Sequence, residues 1–456
     1  MSLLLSPLWL IILPLAMAPV VYIVRRREGL AALIAGATAL VTARLCLSMP
    51  FDWSLQLFGR DMVLLPADRT FLAFAYLLVT CYFLYAWASS QGWSFFPFIL
   101  IIMGIFSAAT MLQNTIVAVL LLGMAATVTV LIIQAGRRRS ANAGLHYLET
   151  VALAIPPLLV VAHLTEMRIL NPSDATLPQL TGLLLILGLS LLLGAVPFQA
   201  WLGAVSAEAP PMVSAFVFSI ASGVVLFKAF ELFHRFPWLV QANGGNVLHL
   251  VALVGAASVI VGGVLAAFQR DFGKLLGWAV LVDTGFILIG LSSVSSEGLA
   301  VLALILLNRG IAVSLVGMGM GILRRERETD FFKAMTGIIW RKPFAVLGVT
   351  VGGLSLAGFP LTGGFTARWL AMQVLPASSR SWITLLILAG MAVSIGYLRG
   401  IAATTGESSI EPDEQEPLIV CVLILFLAVL TLVLALYPQL ALQVLSPVMA
   451  TLAIPR

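Results

Sequence analysis

Long, uninterrupted apolar runs are the feature that most restricts what this chain can fold into. A helix needs about 20 apolar residues to cross the hydrocarbon core of a bilayer, and about fourteen such runs follow one another along the chain. A strand of a membrane barrel would instead show about ten residues of alternating hydrophobicity. The sequence therefore predicts an all-α integral membrane protein. We expect its helices at about 7–24, 29–49, 69–89, 94–112, 115–135, 148–165, 179–200, 211–233, 247–268, 275–294, 298–322, 343–366, 381–400 and 417–444.

The composition excludes a water-soluble fold. Hydrophobic residues make up 61% of the 456 residues and charged residues only 10%, whereas soluble domains carry about 25% charged residues. The polar segments between the runs are too short to fold alone, and none contains a nucleotide-binding glycine motif. We therefore predict a single membrane domain over residues 1–456, with no redox or fuel chemistry on this chain.

The cysteines and histidines do not predict a metal site. Cys46, Cys81 and Cys421 are far apart in the sequence and form no CxxC pair. Iron–sulfur clusters and structural metal sites need closely spaced ligands. The four histidines are equally scattered. We therefore expect neither a metal nor a cofactor on this chain.

The basic residues predict the orientation in the membrane. Most of the 25 Lys and Arg residues fall in every second loop, beginning with residues 25–27 and 137–139. Cytoplasmic loops carry an excess of Lys and Arg. With these loops inside, both termini lie on the outer side, and the net charge of +5 reflects membrane topology instead of nucleic-acid binding.

Two apolar segments are interrupted by proline and glycine. Proline removes a helical hydrogen bond and glycine frees the backbone, so helices are expected to break there. Irregular backbone at membrane depth persists where it is buried in protein or lines a wet cavity, and paired breaks point to an ion path in repeat-built transporters. Plain proline kinks in a packed bundle are the alternative. The helix-break residues are Pro197, Pro210 and Pro211 in the first segment and Pro360, Gly363 and Gly364 in the second.

Several stretches resemble the motifs of one known family. Residues 197–201 (Pro-Phe-Gln-Ala-Trp) and 209–215 (Ala-Pro-Pro-Met-Val-Ser-Ala) resemble the signature PFHxW…APxPVSA. Residues 269–278 are similar to its QxDxKRLLAYSS stretch, residues 358–368 to GxPPLxGFxxK, and residues 396–399 to the YYLR of the subunit N branch. That family comprises the antiporter-like, proton-translocating subunits of complex I, together with subunits of Mrp-type antiporters and membrane-bound hydrogenases.

The resemblance implies an architecture and a setting. It implies fourteen helices in which two inverted five-helix repeats meet at broken helices, with N-terminal helices at 1–93, repeats at 94–233 and 247–400, and a C-terminal helix at 417–456. It implies other membrane-arm and peripheral-arm subunits as partners, with quinone, flavin and iron–sulfur centres on those partners. The protein is expected in the inner (cytoplasmic) membrane of a prokaryote, where it acts on protons or, alternatively, sodium.

The chain departs from the family at its ionisable positions. The family has a buried glutamate, then two lysines in its first half, and a histidine and two lysines in its second half. Arginine stays charged at any working pH, whereas a buried lysine can release a proton. We therefore interpret the chain as a modified or partly silenced antiporter module, whose conduction, if any, lies in the second half near residue 283. Those six positions hold, in order, Ala125, Leu192, Ser222, Asp283, Arg309 and Arg368.

Ionisable side chains near or within the runs are candidates for a proton path, because a charge in lipid is expensive and usually functional. Asp283 and Arg309 lie on neighbouring helices and are able to pair, and Lys228 has the spacing to pair with Glu231. Each candidate also has a structural interpretation, as a packing ion pair or as a helix-end residue. The proton-path candidates are Asp283, Arg309, Lys228, Arg368, Glu208, Lys274 and Glu149.

Three functions remain open at this point. The first is a membrane-arm subunit of a complex I-type pump that contributes to or supports proton translocation coupled to quinone reduction. The second is a subunit of a membrane-bound hydrogenase or of an Mrp-type cation/proton antiporter. The third is a non-conducting structural subunit, which the substitutions at positions 125, 192 and 222 favour.

Overall fold

The computed structural model describes residues 6–49, 53–57, 60–89, 91–135, 142–171, 176–241, 244–292, 296–375, 380–406 and 415–452. The basic run at 137–139 that helped to predict the orientation lies outside these residues. Within them, the chain is a bundle of helices with one small β-hairpin. The elements are α1 (Trp9–Ile23), α2 (Glu28–Ser48), β1 (Trp53–Leu57), β2 (Arg60–Leu64), α3 (Pro66–Ala88), α4 (Phe95–Met111), α5 (Thr115–Ile133), α6 (Asn142–Leu170), α7 (Thr176–Leu193), α8 (Ala200–Glu208), α9 (Pro211–Arg235), α10 (Trp238–Gln241), α11 (Gly244–Phe268), α12 (Phe272–Ser292), α13 (Ser296–Arg327), α14 (Pro343–Ala357), α15 (Gly363–Val374), α16 (Arg380–Thr404), α17 (Leu418–Leu436) and α18 (Pro438–Leu452).

The helices confirm the predicted all-α membrane fold. Among the described residues, 11 helices are long and apolar enough to cross a membrane, and α1, α4 and α14 are shorter apolar helices of 15 to 17 residues. Their order matches the order of the predicted apolar runs. The protein is therefore a multi-pass membrane protein.

The middle of the bundle is formed by α9, α12 and α13. These three helices are the most buried of the long apolar helices, whereas α6 and α17 are among the most exposed. α13 packs against α9, α12, α14 and α15, so it connects both halves of the chain. Side chains on these three helices are therefore shielded from lipid by other helices.

The first predicted break lies between α7 and α9. α7 ends at Leu193, Pro197 lies in the irregular segment that follows, and Pro211 opens α9 as its first residue. A proline suits that first helical position because its missing N–H has no partner there anyway. The predicted helix 179–200 is thus too long by several residues, because the glycine and proline after Leu193 end it.

The second predicted break separates α14 from α15. Gly358 closes α14 with a φ of +74°, which is the left-handed conformation that glycine adopts most easily. Gly364 lies in the first turn of α15, where an added Cβ would lie 1.8 Å from the carbonyl oxygen of Ser355. The two half-helices therefore approach so closely that only glycine fits at position 364.

Three details differ from the sequence prediction. α9 runs from Pro211 to Arg235 and contains a π-helical turn at Val217–Ala221 that was not predicted. The single helix expected at 417–444 is two, because Tyr437 interrupts it before Pro438. The hairpin of β1 and β2 was not predicted, since five-residue strands are too short to stand out beside the long apolar runs.

Candidate functional site

Three helices bring one acidic and two basic side chains together in the middle of the bundle. α12 supplies Asp283, α13 supplies Arg309, and α15, just after the second break, supplies Arg368. Asp283 Oδ1 accepts a hydrogen bond from Arg368 Nη2 at 3.1 Å, and Asp283 Oδ2 lies 3.8 Å from Arg309 Nη1. The exposed fractions of Asp283, Arg309 and Arg368 are 3%, 1% and 5%. The predicted pair of Asp283 and Arg309 is thus part of a buried group of three, which we call the Arg–Asp–Arg cluster.

Arg368 also binds the open end of α14. Its Nη1 donates to the carbonyl of Ala357 at 2.7 Å, and its Nη2 donates to the carbonyl of Leu356. The last carbonyls of a helix lack helical partners and carry a partial negative charge. The ring of Phe286 lies 5.4 Å from the guanidinium carbon. The second break therefore provides the carbonyl groups that hold this arginine.

Arg309 is held by the first half of the chain. Its Nε donates to the carbonyl of Phe218 at 2.8 Å, and its Nη1 donates to Thr284 Oγ1 at 3.0 Å. Phe218 lies in the π-helical turn of α9, and π-turns occur frequently at functional sites. The arginine therefore links the π-turn of the first half to the ionic cluster of the second half.

The cluster carries a formal net charge of +1, from two guanidinium groups and one ionised carboxylate. A buried charge is tolerated when it is paired and when hydrogen bonds satisfy its remaining donors. The guanidinium groups meet this condition through three carbonyls and a hydroxyl. Because arginine does not release its proton in proteins, this arrangement holds charge at a fixed place.

A neighbouring amide holds the second break in position. Ser355 Oγ donates to Asn308 Oδ1 at 3.0 Å and accepts the backbone N–H of Gly364 at 3.2 Å. Asn308 directly precedes Arg309, and its exposed fraction is 4%. Sequence reasoning missed this residue, although an amide within an apolar run was a visible signal.

The corresponding region of the first half is apolar. Ala125 is fully buried on α5, and Leu192 and Ser222 line a cavity of about 30 Å³ between α5, α7 and α9. Ser222 Oγ donates to the carbonyl of Phe218 within its own helix. The three positions at which the resemblance placed ionisable groups therefore provide no acid or base.

A second ionic group lies further along α9. Lys228 Nζ contacts Glu231 Oε2 at 2.5 Å and donates to the carbonyl of Thr110 at 3.2 Å. The carbonyl of Leu112 lies 3.5 Å from the same nitrogen. Ten residues of helix, or about 15 Å, separate Lys228 from Phe218. The predicted pairing of Lys228 with Glu231 is therefore present, but it lies apart from the Arg–Asp–Arg cluster.

Glu208 is a helix cap in the structure. Its Oε2 accepts the backbone N–H of Ala143 at 3.1 Å, in the first turn of α6. A carboxylate at a helix N-terminus satisfies a free N–H and complements the helix dipole. Glu208 therefore joins the end of α8 to the start of α6, away from the Arg–Asp–Arg cluster.

The two remaining candidates are exposed. Glu149 Oε2 lies 3.4 Å from His146 Nδ1 on the surface of α6. Lys274 is exposed in the first turn of α12, where its backbone N–H donates to Asp271 Oδ1 at 3.0 Å. Burial raises the pKa of the Asp271 carboxyl, and this hydrogen bond opposes the rise. The structure thus places Glu149 and Lys274 outside the buried groups.

Arg324 was not singled out from the sequence, yet it closes the first break. Its two η nitrogens donate to the carbonyls of Ala209, at 2.6 Å, and Ser206, at 3.2 Å, and its Nε donates to Asp330 Oδ1 at 2.8 Å. The last carbonyls of α8 are therefore capped by the end of α13. Arg324 lies close to two other basic residues, Arg325 and Arg327, so the sequence alone does not distinguish it from a charged loop residue.

Comparison with known proteins decides the family. The sequence model described as "NADH:quinone oxidoreductase/Mrp antiporter, TM" matches residues 113–396. The chain belongs to this family. The match spans both breaks and all three helices of the Arg–Asp–Arg cluster, and it confirms the resemblance seen in the motifs.

One curated relative and three solved structures describe the similarity further. NADH-quinone oxidoreductase subunit N of Ectopseudomonas mendocina (strain ymp) is 29% identical over 226 residues, which are 48% of this chain and 45% of the relative. The matched stretch thus spans under half the length of that relative.

The solved structures share the fold over nearly the whole chain. A chain of an archaeal membrane-bound sulfane sulfur reductase superposes with a TM-score of 0.87 at 17% identity and covers 98% of this chain and 97% of its own. A chain of the Mrp complex from Dietzia sp. DQ12-45-1b gives 0.82 at 16%, over 99% and 98%. A chain of complex I from Thermus thermophilus with bound NADH gives 0.81 at 18%, over 98% and 99%. This chain therefore shares the fold of these three chains over nearly its whole length.

Proposed function

We propose that this chain is a membrane-arm subunit of a complex I-type, redox-driven proton pump, and that it supports proton translocation through a fixed buried charge. The observation that carries the proposal is the position of Asp283 between Arg309 and Arg368, at 3.8 Å and 3.1 Å. The relative from Ectopseudomonas mendocina is named as a subunit of an NADH-quinone oxidoreductase, which favours a redox-driven complex.

The charge on the cluster is expected to stay constant during turnover. Protonation of Asp283 would leave the two guanidinium groups buried without a counterion, and such uncompensated buried charges are strongly unfavourable. The arginines themselves do not release protons. The cluster then acts on ions in adjacent subunits through its electric field, which is weakly screened inside a protein.

The substituted positions in the first half of the chain also support a role without proton transfer. Ala125 and Leu192 carry no ionisable group, and Ser222 bonds within its own helix. A proton relay through these three positions has no side chain to carry it. The pump activity of the complex would then depend on its other antiporter-like subunits.

The setting of the chain follows from the proposal. The partners are other membrane-arm subunits and a peripheral arm that carries flavin and iron–sulfur centres, and quinone is reduced on those partners. The complex would lie in the inner membrane of a prokaryote, with both termini of this chain on the outer side. Protons are the ions moved in this account.

Co-purification tests the proposal. The chain is tagged in its native host, extracted in a mild detergent and purified, and its partners are identified by mass spectrometry together with the absorption spectra of flavin and iron–sulfur centres. We expect a stable complex that contains flavin, iron–sulfur centres and a quinone-reducing subunit. Partners without redox centres would favour the Mrp-type antiporter, and a hydrogenase subunit without flavin would favour a membrane-bound hydrogenase. Either result would contradict the proposal.

A further inference from the structure

A carboxyl group on α3 lies beside the Lys228–Glu231 pair. Asp68 lies in the first turn of α3, its exposed fraction is 1%, and its Oδ2 accepts the backbone N–H of Leu65 at 3.0 Å. Its Oδ1 is buried and has no hydrogen-bond partner among the described residues. Phe71, one turn after Asp68 on α3, stacks on Phe227 of α9 at a centroid distance of 4.9 Å, so Asp68 faces the part of α9 that holds Lys228 and Glu231. Sequence reasoning passed over Asp68, since its position near the start of an apolar run resembles a helix-end residue.

Oxygen atoms surround the side-chain nitrogen of Lys228. Glu231 Oε2 and the carbonyls of Thr110 and Leu112 lie within 3.5 Å of Lys228 Nζ. Both carbonyls are at the C-terminal end of α4, where the partial charge of the helix dipole is negative. Lys228 Nζ therefore has three oxygen partners, one of them on the carboxyl group of Glu231.

The formal charges of this group do not balance. Two carboxylates and one ammonium group give a net charge of −1. In the Arg–Asp–Arg cluster, Asp283 Oδ2 also lacks a hydrogen bond, but ion pairs to Arg309 and Arg368 balance that carboxylate. Asp68 forms no ion pair among the described residues, and a charge at such a buried position is strongly unfavourable. Because Glu231 is already paired with Lys228, the missing positive charge belongs at Asp68. Its partnerless Oδ1 is the atom available to hold it.

Two arginines near this end of the bundle bind carbonyl groups elsewhere. Arg235 follows Glu231 on α9, is exposed, and donates to the carbonyl of Gln113. Arg69 follows Asp68 on α3 and donates from Nη1 to the carbonyl of Met49 at 2.9 Å. His234 lies between Glu231 and Arg235 and is half-buried. None of these three side chains donates a hydrogen bond to the buried Asp68 Oδ1.

A cavity adjoins the ion pair. It has a volume of about 60 Å³ between α5, α6, α7 and α9, and its wall is mostly apolar apart from Gln113, Thr115, Lys228, Glu231 and Arg235. The polar members of the wall lie where α4 ends, α5 begins and α9 ends. The ion pair therefore borders open space at this end of the bundle.

We infer that Asp68, Lys228 and Glu231 form a proton-binding site, in which Asp68 carries one proton that balances the buried pair. The site exchanges protons at the end of the bundle where α4 ends and α9 ends. It lies apart from the Arg–Asp–Arg cluster and does not depend on that cluster having a fixed charge. The inference draws on the proposed function only in taking the proton as the ion.

Infrared difference spectra between the wild-type and each variant form of the purified intact complex test the inference. A protonated carboxyl group gives a carbonyl stretching band that is distinct from that of a carboxylate and shifts in heavy water. We expect Asp68→Asn to remove one such band from the spectrum. We expect Glu231→Gln to remove it as well, because Asp68 then balances Lys228 as an ionised carboxylate. We expect Lys228→Met to double the band, because both acids must then be neutral.

The control variant changes a carboxyl group outside the proposed site. Glu149→Gln removes an exposed carboxyl group on α6 and should leave the band unchanged. A band that persists at full amplitude in Glu231→Gln, or that fails to grow in Lys228→Met, would overturn the inference even if Asp68→Asn does not assemble. A wild-type complex without the band, but with stability that depends on sodium, would show that a metal cation balances the pair instead. None of these results bears on which subunits co-purify, so the proposed function is tested separately.

Discussion

Arg368 donates a hydrogen bond to Asp283 over 3.1 Å, although the two residues are 85 positions apart in the sequence. The contact joins the half-helix after the second break to the central helix α12. The same guanidinium group binds the last carbonyls of the half-helix before the break. One side chain thus closes the gap in the helix and balances a buried carboxylate, which makes it the clearest target for mutation.

Replacement of Arg368 by methionine should destabilise the protein strongly. The change leaves two helix-end carbonyls unbonded and removes one partner of Asp283, and breaking a buried ion pair costs about 3–5 kcal/mol. Thermal unfolding of the purified complex should show a lower midpoint. Arg368→Lys should retain more stability because it keeps the charge. The control is Arg325→Met on the exposed side of α13, and an equal loss in both methionine variants would contradict the account.

Gly364→Ala should prevent correct formation of the second break. The added Cβ would lie 1.8 Å from the Ser355 carbonyl oxygen, so the half-helices would have to separate. Size-exclusion chromatography should show little monodisperse complex. Gly223→Ala is a matched control, since its Cβ would meet Phe71 at an ordinary 3.4 Å. Normal assembly of Gly364→Ala would show that the close approach is not required.

Glu208→Ala tests whether this residue caps a helix or carries protons. Loss of a helix cap typically costs about 1 kcal/mol, so unfolding should occur at a slightly lower temperature. Glu208→Gln keeps an acceptor oxygen for the Ala143 N–H and should be closer to wild type. The number of protons pumped per electron should be the same in both variants. A drop in that ratio for Glu208→Gln, which removes only the acidity, would place Glu208 on a proton path.

Asp271→Asn should change the pH dependence of stability. Burial raises the pKa of this carboxyl above its ordinary value in the folded protein. The folded state therefore binds more protons than the unfolded state between the two pKa values, and stability falls as pH rises through that window. The asparagine variant lacks this contribution, so its stability should decline less over the same window. Unfolding midpoints at a series of pH values measure the difference, and parallel curves for the two proteins would contradict it.

Much of the helix layout was predictable, because lipid requires long apolar runs and because glycine and proline interrupt the helices after Leu193 and after Ala357. The sequence spacing also predicted the Lys228–Glu231 contact, since residues three apart meet on a helix surface. The partner of Asp283 on α15 was not predictable in this way. Its position depends on how two half-helices fold back on the bundle, and no local pattern encodes that packing.

Other features depended on single tertiary contacts. The π-turn in α9 has no glycine or proline to mark it, and the carbonyl of Phe218 within it is bound by Arg309 from another helix. Asp68 and Glu208 look alike in sequence, as acids near helix ends. Their surroundings separate them, because Glu208 bonds a backbone N–H of another helix whereas Asp68 Oδ1 is buried without a partner. Roles of this kind follow from packing and cannot be derived from residue type.

The most direct test of the fixed-charge account is the number of protons pumped per electron by the complex in proteoliposomes. The informative variant is Asp283→Asn combined with Arg309→Gln, which removes the titratable carboxyl group and one positive charge and so keeps the net charge of +1. The account predicts the wild-type ratio for this double variant, because the charge is retained without the carboxyl group. A clear fall in the ratio, in a complex that assembles normally, would contradict the fixed-charge account.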